Sequence, residues 1–187
     1  GVVDTATMLE RCVKQIMSLD PPVDAVLASG DLVDGGSQPE YEVLRDLLAP
    51  LQAPVYLLPG NHDDRDALRA AFADHAYLHQ HPRFCQYVID VLPLRLIVLD
   101  TIIKGEAGGA LCAERLEWLE RTLAASRKPT VIALHHPPFA SGVGFMDDIA
   151  LAEPEKLAAV IAKHPNVAAA TNAPEAPSTS RNSPAIG

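Results

Sequence analysis

Residues 25–34, Ala-Val-Leu-Ala-Ser-Gly-Asp-Leu-Val-Asp, decide the fold. The apolar run Ala25 to Ser29 reads as a short buried strand, and Gly30 permits a tight turn that delivers Asp31 to the strand end. The same arrangement recurs twice. Val55 to Leu58 is a second apolar run, flanked by prolines, and it ends in Gly60-Asn61-His62-Asp63. Thr130 to Leu134 is a third, ending in His135-His136-Pro137-Pro138. The ends of buried strands are where open α/β sheets gather ligands and catalytic groups.

Helical patterns lie between these strands. Met8, Leu9, Cys12, Val13, Ile16 and Met17 recur at helical spacing and stop before Pro21-Pro22. Ser37-Gln38-Pro39-Glu40 fits a capping box that opens a helix through Leu48. Further helices are expected from Asp64 to Phe72, around Leu116, Leu119 and Leu123 with Trp118 at the edge, and from Pro154 to Lys163. Tyr87 to Ile89 and Leu96 to Leu99 flank a Pro93 turn and read as an antiparallel pair, and Gly105 to Gly109 reads as a loop. Strands alternating with helices predict a layered α/β architecture. The domain is expected over residues 1–167. Residues 168–187, almost without large apolar side chains, are expected to form a disordered low-complexity tail.

With 48% hydrophobic residues among 187, the chain can bury a core. Its net charge of -9 argues against a general nucleic-acid or anionic-membrane binder, and Lys and Arg form no basic run. No apolar run approaches the ~18 residues of a membrane span. Cys12, Cys85 and Cys112 are widely spaced without C-x-x-C spacing, and read as small buried hydrophobes in a reducing, cytoplasmic compartment.

The three motifs offer oxygen, amide and imidazole donors but no thiolate, which suits a hard divalent metal handling phosphate. The Asp31 carboxylate can bridge two ions, as two-metal phosphoryl chemistry requires. Asn61 offers an amide oxygen. His62 beside Asp63 suggests an imidazole oriented and protonated by a carboxylate, able to assist a leaving group. His135 offers a ring nitrogen, and His136 is expected to face the opposite side. Alone, Gly-Asp and Gly-Asn are turn pairs; their combination with the histidines carries the chemical reading. His75, His79, His81 and His164 read as ordinary surface residues.

In order and spacing, G-D-x-x-D, G-N-H-D and H-H-P-P resemble the calcineurin-like metallophosphoesterase superfamily, and within it the class III cyclic-nucleotide phosphodiesterases and glycerophosphodiesterases. The resemblance extends to Glu40-Tyr41, to Pro54 through Pro59 and to Leu116-Glu117-Trp118-Leu119, and covers about residues 1 to 167. It implies a four-layer αββα sandwich of the metallophosphoesterase type, incomplete at both ends. It also implies a two-metal centre that hydrolyses a small phosphodiester, such as a cyclic nucleotide, through a metal-activated hydroxide. Asp31, Asn61 and His135 would be metal ligands, Asn61 and His62 would bind substrate, and His62 with Asp63 would be catalytic. Fe, Mn, Zn and Co all suit such a nitrogen and oxygen ligand set.

The family's D-x-H and G-H-x-H motifs do not occur in this sequence. Counted on the family pattern, one site keeps Asp31, Asn61 and His135 while the other keeps only Asp31. The resemblance therefore implies at most one weakly bound ion for this chain. Two expectations compete: a truncated enzyme, or a catalytically incomplete member acting as a non-enzymatic remnant or binding protein.

Overall fold

A computed structural model describes residues 4–90 and 93–171. Thr5–Met17 forms α1, started by the Asp4 carboxylate, which accepts the Thr7 backbone N–H at 3.0 Å. β1 is Val26–Ser29 and β2 is Val55–Leu58; they pair in parallel, from Val26 against Val55 to Ser29 against Leu58. Between them lies α2, Gln38–Leu48, opened by the expected capping box. There the Glu40 carboxylate accepts the backbone N–H groups of Ser37 and Gly35, both at 2.9 Å. Local capping thus sets where this helix begins.

Arg65–Ala71 forms α3, and Ala76–His79 a single 3₁₀ turn that sequence periodicity does not reveal. The second sheet has strand order β3-β4-β5-β6, from Tyr87–Ile89, Arg95–Leu99, Thr130–Leu134 and Val167–Thr171. β3 and β4 are antiparallel as expected, although turn residues 91 and 92 lie outside the described residues. β4, β5 and β6 run parallel. α4 is Ala113–Ala124, α5 the short Gly144–Asp148, and α6 Pro154–Ile161. β6 continues to residue 171, past the expected boundary at 168, while 172–187 lie outside the described residues. Val167-Ala-Ala-Ala-Thr has weak strand preference of its own, so its pairing with β5 decides its conformation.

Side-chain alternation in the second sheet builds the layers. Leu96, Val98 and Ala133 join a core with Leu57, Leu58, Tyr41, Leu44 and Leu68, beneath β1, β2 and the first three helices. Ile97, Leu99, Ile132 and Leu134 face the other way, onto Leu119 and Leu123 of α4 and Leu157 and Val160 of α6. The outcome is helix, sheet, sheet, helix, the expected αββα stack. Its two sheets hold two and four strands among the described residues.

Cys85 is buried as expected, but Cys12 and Cys112 are exposed, one on the outer face of α1 and the other at the start of α4. Of the four histidines read as surface residues, His79 is exposed and His75 half-buried, whereas His81 and His164 are buried. His81 is held by loop 81–84, whose Arg83 and Phe84 N–H groups both donate to its Nδ1 at 3.2 Å. His164 follows α6, beneath the turn into β6.

Candidate functional site

Three strands end at one place. Gly30 leaves β1 with φ +95°, and Asp31 follows at φ +47°, a left-handed conformation that costs a non-glycine residue energy and that clusters at functional sites. Gly60, after β2, passes so close that a Cβ there would lie 2.3 Å from both the Asp31 backbone nitrogen and Oδ1. At Gly30 a Cβ would lie 2.0 Å from the His135 ring. Neither position has room for any side chain, so both glycines are needed to let the three loops meet.

The meeting point is His135 Nε2. It lies 3.3 Å from Asp31 Oδ1 and 3.2 Å from Asn61 Oδ1. The other ring nitrogen, Nδ1, is 3.2 Å from the Ser29 carbonyl and serves as the donor there, which leaves the Nε2 lone pair facing the two oxygens. Two oxygens set around one ring nitrogen make a place suited to a cation. Adjacent ligands at about 2.1 Å from one ion stand about 3.0–3.4 Å apart, so the observed spacings fit a single divalent metal. Among the described residues no three His, Cys, Asp or Glu side chains converge, so the neutral amide of Asn61 is what completes this trio.

The electrostatics agree. Burial alone would raise Asp31, but the hydrogen bond and charge of His135, with the His62 N–H at 3.2 Å, outweigh it and hold the carboxylate below its usual range. Burial likewise works to lower His135, and the Asp31 contact overcomes it to raise the imidazole. A proton and a metal ion would compete for this ring nitrogen.

The expected His62–Asp63 pair does not form. His62 Nδ1 donates to the backbone carbonyl of Asp34 at 2.8 Å, with the Asp34 carboxylate 3.6 Å away. That carbonyl first, and then the Asp31 charge, raise the His62 pKa, while its other nitrogen is left for solvent or substrate. Asp63 turns inward instead. Its Oδ2 accepts the N–H groups of Gly60 at 2.8 Å and Leu32 at 3.1 Å, and its Oδ1 accepts the hydroxyl of fully buried Tyr41 at 2.8 Å. Burial raises the Asp63 pKa, and these three donors partly offset it. Asp63 is therefore the tie between the first two loops. An adjacent-residue reading favoured His62; the partner that wins is Tyr41, on the first turn of α2.

His136 faces away from the trio, as expected. Its Nδ1 is 2.7 Å from the Thr101 hydroxyl and its Nε2 3.1 Å from the Ala107 carbonyl. The carbonyl must accept, so Nε2 carries the proton and Nδ1 accepts from Thr101. Burial, reinforced by the nearby His135 charge, pushes His136 down to about 4, keeping it neutral. This clamps the loop after β4 to the exit of β5.

One further group, which no sequence motif marks, anchors the loop after β4. Asp100 follows β4 and is completely buried. Arg65 meets it with two bonds, Nε at 2.6 Å and Nη2 at 2.7 Å, and the N–H groups of Cys85 and Ile102 donate at 2.8 and 3.0 Å. Arg65 and Arg115 also flank the Phe84 ring, at 5.5 and 4.7 Å from its centroid. Its placement right after an apolar strand was the available signal, shared with Asp31.

The sequence profile of the calcineurin-like phosphoesterases matches residues 3–168. The chain is 36% identical over 146 residues to a probable glycerophosphodiester phosphodiesterase of Arcobacter nitrofigilis, covering 78% of this chain and 53% of that protein. It is 33% identical over 166 residues to the 3′,5′-cyclic adenosine monophosphate phosphodiesterase of Pseudomonas aeruginosa, covering 88% and 58% respectively. The chain thus spans a little over half the length of these relatives. Among solved structures, TT1561 of Thermus thermophilus superposes with a TM-score of 0.54 at 17% identity, covering 86% of this chain and 72% of that one, a likeness of fold.

Proposed function

Because the chain belongs to the calcineurin-like phosphoesterase family, we propose that it serves metal-dependent hydrolysis of a small phosphodiester, a cyclic nucleotide or a glycerophosphodiester. The observation that carries this reading is the convergence of Asp31, Asn61 and His135 acceptors on one point. Those three residues would hold a divalent ion, which when bound supplies Lewis acidity toward the phosphoryl oxygens. Asn61 and His62, adjacent on the loop after β2, would receive the substrate phosphate. His62, with its Nδ1 proton held by the Asp34 carbonyl and its pKa raised, presents Nε2 as a proton donor to the departing alkoxide. Asp63 takes no proton in this scheme; it fixes the loop that carries Asn61 and His62. Free cysteines at 12, 85 and 112 favour a reducing, cytoplasmic setting. Among the described residues no helix is long and apolar enough to cross a membrane.

His62→Asn is expected to lower turnover of a diester with an alkoxide leaving group by about 10²-fold, the usual contribution of a general acid. Bis(p-nitrophenyl) phosphate should suffer much less, because p-nitrophenolate departs without a proton. Steady-state kinetics with Mn²⁺ on both substrates checks this; equal losses on the two would remove His62 from the acid role.

A second reading rests on the donor count. The described residues bring one carboxylate, one neutral amide and one imidazole together, a weakly charged donor set that suits a protein that binds metal and diester without turnover. Mn²⁺ binding with no hydrolysis of bis(p-nitrophenyl) phosphate would support it; turnover lost in Asp31→Asn would support the enzyme.

A further inference from the structure

Glu40 does more than begin α2. One of its carboxylate oxygens, Oε2, accepts the Ser37 N–H at 2.9 Å and the Ser37 hydroxyl at 2.5 Å, which completes the capping box. The other, Oε1, reaches past the cap and accepts the Gly35 N–H at 2.9 Å. A capping box uses no bond to a residue two positions ahead of the cap. The second oxygen therefore serves the turn that precedes the helix. The Ser37 hydroxyl first, then the Ser37 and Gly35 N–H groups, hold the Glu40 carboxyl down at about 2, so both oxygens remain acceptors at neutral pH.

That turn is what meets His62. The Asp34 carbonyl accepts the His62 Nδ1 proton at 2.8 Å. This carbonyl and the Gly35 N–H belong to one planar peptide unit, so fixing the N–H fixes the direction of the carbonyl. An anionic acceptor on the N–H also polarises the unit, which strengthens the carbonyl as an acceptor for the imidazole. Carboxylate, peptide and imidazole are thereby joined in a line. Gly36, buried at φ +68°, presses the turn against the same loop: a Cβ there would come 3.1 Å from both the His62 carbonyl oxygen and the Asp64 nitrogen. Tyr41, the next residue on α2, anchors the helix independently. Its hydroxyl donates to Asp63 Oδ1 at 2.8 Å and accepts the Asp64 N–H at 3.0 Å. Loss of the Glu40 carboxylate would therefore free the peptide without releasing the loop that carries Asn61.

Resting on the reading of His62 as the proton donor, we propose that Glu40 is a positioning residue for His62, acting through the peptide between Asp34 and Gly35. It takes no part in holding the ion or the substrate. Through that peptide it keeps one imidazole proton on Nδ1, which leaves Nε2 as the nitrogen that gives its proton to the departing alkoxide.

The test separates the helix cap from the peptide. Ser37→Ala weakens the cap yet leaves the Glu40 carboxylate on Gly35, whereas Glu40→Ala removes both. The tautomer of the neutral His62 ring is read from its ¹⁵N shifts in the metal-free full chain, with thermal unfolding alongside. The unmodified chain and Ser37→Ala should keep the Nδ1–H form, and Glu40→Ala should shift to the Nε2–H form that an unrestrained imidazole prefers. If Glu40→Ala does not fold, Glu40→Gln takes its place with the same expectation, because its one amide oxygen can complete the capping box but not also reach Gly35. With Mn²⁺ present, the Glu40 variant should turn over 3′,5′-cyclic AMP about tenfold more slowly, the scale of a small displacement of a reacting group. It should leave Mn²⁺ affinity and bis(p-nitrophenyl) phosphate turnover unchanged, and add no further loss to His62→Asn. Absence of turnover, or equal losses on both substrates in His62→Asn, would strike the acid reading alone, because the tautomer still decides whether Glu40 positions the ring. An Nδ1–H form that survives in the Glu40 variant, or is lost equally in Ser37→Ala, overturns the proposal. So does a loss in the Glu40 variant that falls equally on the two substrates.

Discussion

Asp31→Asn is expected to abolish divalent-metal binding, with at least a hundredfold loss of Mn²⁺ affinity, about 2.7 kcal/mol or more. The substitution keeps the size of the side chain and suits the backbone, because Asn tolerates the left-handed conformation that Asp31 adopts at φ +47°. The loss can therefore be read as chemistry, not as unfolding. What disappears is the negative charge 3.3 Å from His135 Nε2, leaving an amide and an imidazole to face the ion. Titration of Mn²⁺ followed by water-proton relaxation, with thermal unfolding as the control for folding, checks the outcome. Retained affinity would show that the ion is held elsewhere.

Asp100→Ala is expected to cost about 3–5 kcal/mol of stability, because removing one member of a buried charge pair leaves the other unpaired. Arg65 would keep a guanidinium with only the Ile102 carbonyl, and the N–H groups of Cys85 and Ile102 would lose their acceptor. Each orphaned buried donor adds to the penalty. Glu117→Ala, at an exposed carboxylate 4.0 Å from the exposed Arg121, serves as the comparison and should change stability by less than about 1 kcal/mol. Urea unfolding of the three proteins measures both. A small effect at Asp100 would mean that Arg65 finds another acceptor.

Both predictions concern carboxylates that follow apolar strands, yet only one of them was legible in the sequence. Asp31 sits in a dense motif with Gly30 before it, and the local turn chemistry marks it. Asp100 follows β4 without such a signal, and its partner Arg65 lies thirty-five residues earlier. The same distinction runs through the fold. β1, β2, β5 and α2 were readable because apolar runs, flanking prolines and a capping box are local. β6 was not, because an Ala-rich segment becomes a strand only beside β5. Burial of His81 and exposure of Cys12 and Cys112 were misread for a related reason: residue type gives an average, and packing decides the case.

At the site, Asp31, Asn61 and His135 are brought together as the motif order implied, while Asp63 belongs to Tyr41 and not to His62. Adjacency in sequence suggested a pair that the turn geometry forbids. The loop after β4, with its Thr101, contributes through contacts across many residues, and such contacts leave no periodic trace.

The two-sided burial of β4 and β5 has a consequence for how the molecule opens. Each of these strands sends alternate side chains into different cores, so neither can leave one core without abandoning the other. Their amide protons should exchange with deuterated solvent only when the whole domain unfolds. Among the described residues β1 has one strand partner and a half-buried run of side chains, so in this chain its amides should exchange by local opening, well before those of β4. The carboxylate that anchors the metal trio is thus carried at the end of one of the more loosely held strands, while the imidazole facing it is carried by one of the most firmly held.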